Sequence, residues 1–337
     1  MICENCFSDR FLSNEIKLKG NLLQGACQHC GANNVYAVAG QNLADLISPV
    51  LSLYIQTDDE GAKSLFEYFR RDWSLLTKPS DISCALILDE IFYGENISQK
   101  KFRSKQSQTS RLSLWDNFQD ELKHINRFFP KTKIIDTEDL RNLFSFLILK
   151  SPPSNFYRAR ISDGKELFSL EQMGRPPARI AKGGRANPVG ISYLYTASDE
   201  QTAISEVRPN VADKICVAKF SVNSSVTLLD LRNPRETISP FAIDADNLLK
   251  LLNDLEFLCH LGEQLSKAIL PREADLEYLA CQYLCEMVKH FNYDGVVYKS
   301  SVGPGFNVAF FDDSKVTAIE EVNLFSVAGV DYRAQVV

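Results

Sequence analysis

Between residues 41 and 150 the apolar side chains recur every three or four positions. Beyond residue 155 they alternate or run in short blocks. In "NLADLISPVLSLYI" Leu43, Leu46, Ile47, Val50 and Leu51 form one stripe, the period of an amphipathic helix. "SLFEYFRRDWSLL", "WDNFQDELKHINRFF" and "TEDLRNLFSFLILK" repeat that period, so a helical bundle is expected over residues 39–150. The paired prolines of "SPPSN" stop a helix and mark a boundary near residue 151. After it, "FYRARI", "ISYLYTA", "KICVAKFSV", "VTLLDL", "DGVVY", "NVAFF" and "VTAIEEV" read as strands. "DEQTAISEV", "DADNLLKLLNDLEFLCHLGEQLSKAI" and "LEYLACQYLCEMVKHF" read as helices. Strands and helices do not alternate regularly, so the expected class is α+β, with the two long helices covering the sheet. "SPFAID", which leads into those helices, is expected near a cleft.

The cysteines divide the first 150 residues further. Of nine in the chain, four stand at Cys3, Cys6, Cys27 and Cys30, as two C-x-x-C turns twenty residues apart. Each turn lets two thiolates reach one ion, and the two turns together complete a closed tetrahedral sulfur site. Such a site has no open position for chemistry, so a structural Zn2+ is expected in a zinc ribbon over residues 1–38. His29 lies between the better ligands. Cys281 and Cys285, four apart on an apolar helix, read as core thiols.

Charge and composition exclude some functions. Thirty-seven basic against forty-three acidic residues give a net charge of −6, which argues against a protein that coats nucleic acid. The basic stretch "SQKKFRSKQSQTSRL" lacks apolar periodicity and reads as a solvated loop. No run of eighteen apolar residues is present, so no membrane partner is expected. The N-terminus lacks a basic segment followed by an apolar core, so a cytoplasmic location is expected.

The candidate chemistry lies after residue 155. "FYRAR" places Tyr157 and Arg158 on the first strand. "GGRANPVG" offers Arg185, Asn187 and Gly190 in a glycine-rich loop. "YLYTASDEQTAISE" joins Tyr195 on a strand to Glu206 on a helix, and "VVYKSS" supplies Ser300, with Ser301 as the competing assignment. In this order the motifs resemble the RES-domain family, over roughly residues 155–325. Ala186 stands where the family carries an aromatic residue.

The resemblance implies a compact fold like that of ADP-ribosyltransferases, with small mixed sheets and NAD+ as substrate in a cleft. The domain would span residues 151–337. It implies catalytic roles for Arg158, Tyr195, Glu206 and Ser300, and substrate binding by Tyr157, Arg185, Asn187, Gly190 and Ser301. Relatives are often toxins of bacterial toxin–antitoxin pairs that consume NAD+ by hydrolysis or phosphorolysis, or transfer ADP-ribose to a protein. An antitoxin or a trigger protein is the partner this implies.

The residue types suit that chemistry. Breaking the nicotinamide–ribose bond develops positive charge on the ribose, which a carboxylate such as Glu206 stabilises. Arg158 and Arg185 can neutralise a diphosphate, and the Gly183–Gly184 backbone can approach it closely. Tyr195 can stack on nicotinamide or donate a hydrogen bond. The zinc-and-helix extension resembles HEPN-like extensions of some RES proteins, but His124 has no arginine at the catalytic spacing of HEPN nucleases. That half is expected to be regulatory. The non-enzymatic alternative is a zinc-ribbon nucleic-acid binder.

Overall fold

A computed structural model describes residues 1–106, 111–132, 137–162 and 167–331. Packing divides the chain into two compact units, each drawn from two stretches. One combines Met1–Leu112 with Asn233–Phe257, and the other combines Ser113–Arg232 with Leu258–Val337.

The first unit opens with β1 (Ile2–Cys3), α1 (Arg10–Lys19), β2 (Asn21–Leu22) and β3 (Tyr36–Val38), and β3 is the centre of a small antiparallel sheet. Asp9 starts α1 by accepting the Leu12 N–H at 2.7 Å, and the helix buries Leu12 and Ile16, one turn apart. Then follow α2 (Ala44–Leu51), β4 (Tyr54–Gln56), α3 (Leu65–Trp73), α4 (Asp81–Ile91) and β5 (Phe102–Ser104). A reciprocal cap between Ser64 and Glu67 starts α3, and Ser74 in a left-handed conformation ends it.

The helical run expected over residues 39–150 is interrupted, because β4 pairs antiparallel with β5. Tyr54 explains the departure. Its ring is buried, its hydroxyl donates to Asp72, and it accepts from the Trp73 indole at 3.0 Å. Tertiary packing here outweighs local helical spacing. The same pairing orders part of the basic stretch expected as a loop, of which residues 107–110 lie outside the described residues.

The second unit contains most of α5 (Arg111–His124), then α6 (Thr137–Ser145), β6 (Asn155–Ser162), β7 (Leu194–Ala197), α7 (Glu200–Glu206), β8 (Lys214–Val222) and β9 (Leu228–Asp230). The chain returns to the first unit for α8 (Pro234–Thr237) and the first half of α9 (Ala245–Ser266). It completes the second unit with α10 (Ala274–Glu277), α11 (Leu279–His290), β10 (Gly295–Lys299), β11 (Phe306–Phe310) and β12 (Val316–Ser326). "SPFAID" therefore belongs to the first unit, where the turn at Pro240–Ala242 packs against α1 and α2. Cys281 and Cys285 are buried on α11. Among the described residues, no helix is long and apolar enough to cross a membrane.

The fold is α+β. The seven described strands of the second unit form one sheet, in the order β12-β8-β6-β7-β11-β10-β9, antiparallel except where β10 meets β9. The expected small sheets survive as two halves of this sheet. β6 pairs with β8 along its whole length, from Asn155 to Ser162, but meets β7 only at Tyr157 and Ala197. One face carries the main core of Phe156, Leu194, Cys216, Val308 and Phe310. α7 packs on the other, over Ala159, Ala197, Ile215 and Val217.

Candidate active site

The cavity follows from that seam. Where β6 and β7 diverge, backbone groups lose their ladder partners and need others. The Arg158 guanidinium supplies one, donating through Nη1 to the Tyr195 carbonyl at 2.7 Å. Around this point opens a cavity of about 460 Å3, lined wholly by the second unit. Tyr157, Arg158 and Ala159 come from β6, Tyr195 to Ala197 from β7, and Ala203, Glu206, Val207 and Arg208 from α7 and its end. Gly184, Arg185, Ile269, Tyr278, Tyr298 and Asn307 complete it.

Arg158 is the unusual cation of this site. Its Nε is buried without a partner. Burial, with Arg160 nearby, pulls its pKa down to about 10. A buried charge ordinarily has a paired anion, and the described residues give Arg158 no carboxylate. An anionic ligand in the cavity would complete it.

Glu206 stands opposite in character. At the exposed end of α7, its Oε1 accepts from Ser300 Oγ and from Asn307 Nδ2, each at 2.6 Å. Oε2 accepts no protein hydrogen bond among the described residues, so it is free for a substrate hydroxyl. Ser300 Oγ in turn accepts the N–H groups of Val302 and Gly303. The two candidate serines differ in their surroundings. Ser300 meets Glu206, while Ser301 is exposed and makes no side-chain hydrogen bond among the described residues.

The glycine-rich loop acts differently from expectation. The Tyr195 hydroxyl donates to Asn187 Oδ1 at 2.7 Å and accepts the Ala186 N–H at 2.9 Å, and burial raises its pKa above the ordinary tyrosine value. Asn187 is buried, and its Nδ2 donates to the carbonyls of Lys182, Pro188 and Ile191. Neither Asn187 nor Gly190 lines the cavity. They shape the loop, with Gly190 in the left-handed region at φ 84°. The Gly184 N–H is used on the Asn187 carbonyl. Gly184 serves by being small, since a Cβ there would lie 2.8 Å from the Tyr195 hydroxyl oxygen.

Arg185 reaches the cavity from this loop, its guanidinium over the Tyr278 ring and donating to the Lys267 carbonyl at 2.6 Å. The lining residues outside the sequence expectation include Asn307, Tyr298, Tyr278 and Arg208. Asn307 and Tyr298 face each other across β11 and β10, so alternation along "DGVVY" and "NVAFF" held the signal. Arg208, which also lines the cavity, has a left-handed backbone at φ 48°, rare outside glycine.

In the first unit the Sγ atoms of Cys3, Cys6, Cys27 and Cys30 all lie within 4.8 Å of one another, with three neighbouring pairs at 3.4–3.6 Å. A tetrahedral zinc with bonds of about 2.3 Å would place its sulfurs roughly 3.8 Å apart, so the four residues fit such an ion. Burial raises the thiol pKa of Cys3 to about 12 and also raises that of Cys6. Such thiols become ligands when a cation stabilises their thiolates.

Residues 156–332, just over half of the chain, match the RES domain. Among solved structures the chain is similar to one described as the crystal structure of the M. tuberculosis MbcT–MbcA toxin–antitoxin complex. The two are 15% identical, with a TM-score of 0.31, over 56% of this chain and 92% of the other. No curated protein matches the chain. On the match of residues 156–332, this protein belongs to the RES-domain family.

Proposed function

We propose that the second unit binds NAD+ and breaks its nicotinamide–ribose bond. One observation carries this reading. The cavity is lined both by Arg158, which makes no ion pair among the described residues, and by a carboxylate, Glu206, that Ser300 and Asn307 hold through a single oxygen. The bond breaks with its electron pair leaving on nicotinamide. Glu206 offsets the positive charge that develops on the ribose and accepts a hydrogen bond from a ribose hydroxyl. Arg158 and Arg185 hold the diphosphate. An acceptor then bonds to the ribose carbon and loses its proton. Water, phosphate and a protein side chain are the acceptor classes.

Nicotinamide release by the full-length protein, with and without phosphate, tests this against Glu206→Gln. The substitution keeps the shape and the Oε1 bonds to Ser300 and Asn307 but removes the charge and the Oε2 acceptor. At least about a 100-fold loss of turnover is expected, the scale of a lost electrostatic stabiliser. Release at the wild-type rate by Glu206→Gln would sink the assignment. Phosphate dependence would name phosphorolysis, and label from NAD+ left on protein would name transfer.

The proposal extends to the rest of the chain. Cys3, Cys6, Cys27 and Cys30 would hold a structural Zn2+, which supplies cross-linking and no catalytic step. In this reading the sequence modules 1–38, 39–150 and 151–337 would act as a zinc ribbon, a largely helical module and the catalytic domain. The first two would regulate or target the third and meet an antitoxin or trigger. Pull-down with the full-length chain, followed by nicotinamide release in the partner's presence, checks that part.

A further inference from the structure

The geometry assigns Asp199 a positioning role. Through the hydroxyls of Ser198 and Thr202, it fastens the loop between β10 and β11 so that Ser300 meets Glu206. This rests on reading Glu206 as the catalytic carboxylate.

Asp199 is the N-cap of α7, with Oδ1 accepting the Thr202 N–H at 2.7 Å. Its Oδ2 does something an N-cap does not require. It accepts from Ser198 Oγ at 2.7 Å and from Thr202 Oγ1 at 2.8 Å. An ionised carboxylate only accepts, so the single proton of each hydroxyl is committed to it and the lone pairs face away. Both are then used by the loop. Thr202 Oγ1 accepts the Gly305 N–H at 2.9 Å, and Ser198 Oγ accepts the Phe306 N–H at 3.0 Å. The Ser198 N–H returns a hydrogen bond to the Phe306 carbonyl at 2.9 Å.

The loop is built for this approach. A Cβ at position 303 would lie 2.8 Å from Thr202 Cα, and one at 305 would overlap the side chains of Ser198 and Asp199. Glycine at both places lets the loop press on the start of α7. Thr202 itself is fully buried. The other end of the same loop carries Ser300, which donates to Glu206 at the far end of α7. One seven-residue helix, about 10 Å long, thus grips the loop at both ends. The protonation state agrees. Burial opposes the charge on Asp199, but hydrogen bonds from Ser198 and Thr202 outweigh it and hold the carboxyl below its ordinary range.

Thr202→Val and Thr202→Ser in the full-length protein separate positioning from helix capping. Valine keeps the volume and the N–H that Asp199 caps, but removes the hydroxyl. Serine restores it. Thr202→Val is expected to lower kcat for nicotinamide release about 10–100-fold, the scale of a small misplacement. KM should stay within about threefold of wild type, as for an interaction acting on turnover. Amide exchange over residues 299–306 should quicken, and Thr202→Ser should recover most of the turnover. Wild-type kcat in Thr202→Val overturns the proposal, whether or not exchange has quickened. Unchanged exchange in Thr202→Val overturns the fastening itself. Full activity in Glu206→Gln instead removes the reading beneath it, a distinct result from either.

Discussion

The two clusters of chemically active side chains in this protein are assembled in opposite ways. The cysteine knuckle draws its four sulfurs from two tight turns within the first thirty residues, and one ion would hold them together. The cavity draws on β6, β7, α7, the glycine-rich loop and the β10–β11 region, from Tyr157 to Asn307, and needs the whole sheet to exist. A local site depends on its ligand for cohesion. A dispersed site depends on the packing around it, so a polar atom in it can be left without a partner, as Arg158 Nε is.

That contrast breaks first where a segment serves the other unit. Residues 233–257 lie within the RES match but belong to the first unit. Ile238, Phe241, Leu248, Leu251, Leu252 and Leu255 of this segment are buried. At about 1.5–3 kcal/mol for each side chain exposed, their loss rivals the net stability of a domain. A chain beginning at residue 151 should therefore aggregate or lack cooperative unfolding, as read by circular dichroism during heating. A soluble, cooperatively unfolding fragment would show that the segment folds without residues 1–112. Truncation is accordingly a test of folding before it is a test of regulation.

Metal removal sharpens the same comparison at the local site. Cys27→Ser with Cys30→Ser, or a strong chelator, should lower bound zinc from about one per chain to none, since only two thiolates would remain of the four a closed site needs. Elemental analysis reads the metal, and quickened amide exchange over residues 1–38 reads the structure. Intact protection without metal would mean that packing alone holds the knuckle.

Arg158→Met addresses the dispersed site. It removes a cation that burial and Arg160 already disfavour, so the melting temperature should stay level or rise. KM should rise at least about tenfold, the cost of one charge-assisted contact. A fall in both stability and affinity would mean that the bond to the Tyr195 carbonyl is the residue's main function.

Tyr195→Phe is a smaller change. It breaks the hydrogen bonds to Asn187 and Ala186 and should cost about 1 kcal/mol of stability. Turnover should fall only severalfold, because the hydroxyl shapes the loop without being free for substrate. The smallest effect concerns pH. Asp199 ionises below its ordinary value, so its contribution is present above the unfolded-state pKa and is lost only as pH falls through the lowered folded value. Exchange over residues 299–306, corrected for intrinsic rates, should be equal at pH 8 and pH 5.

Sequence alone determined much of this protein. The seven strand blocks after residue 155 all form strands, with β7 shorter than "ISYLYTA" suggests. α7 begins at its Asp199 cap, and the spacing of the four cysteines matches their convergence. These features are set within a few residues, by alternation, capping and turn geometry. The ordered motifs pointed to the family because each sits in its own short stretch. Only the tertiary structure decided that β6 and β7 meet at a single pair, which opens the cavity and frees a carbonyl for Arg158. It also decided that Ser300 rather than Ser301 meets Glu206, that Asn307 joins them, that Tyr195 and Asn187 hold a loop, and that β4 pairs with β5 inside a helical stretch. Each of these depends on groups separated by up to about a hundred residues, whose meeting is set by how the sheet and its covering helices pack, even where, as at Asn307, strand alternation chooses the face.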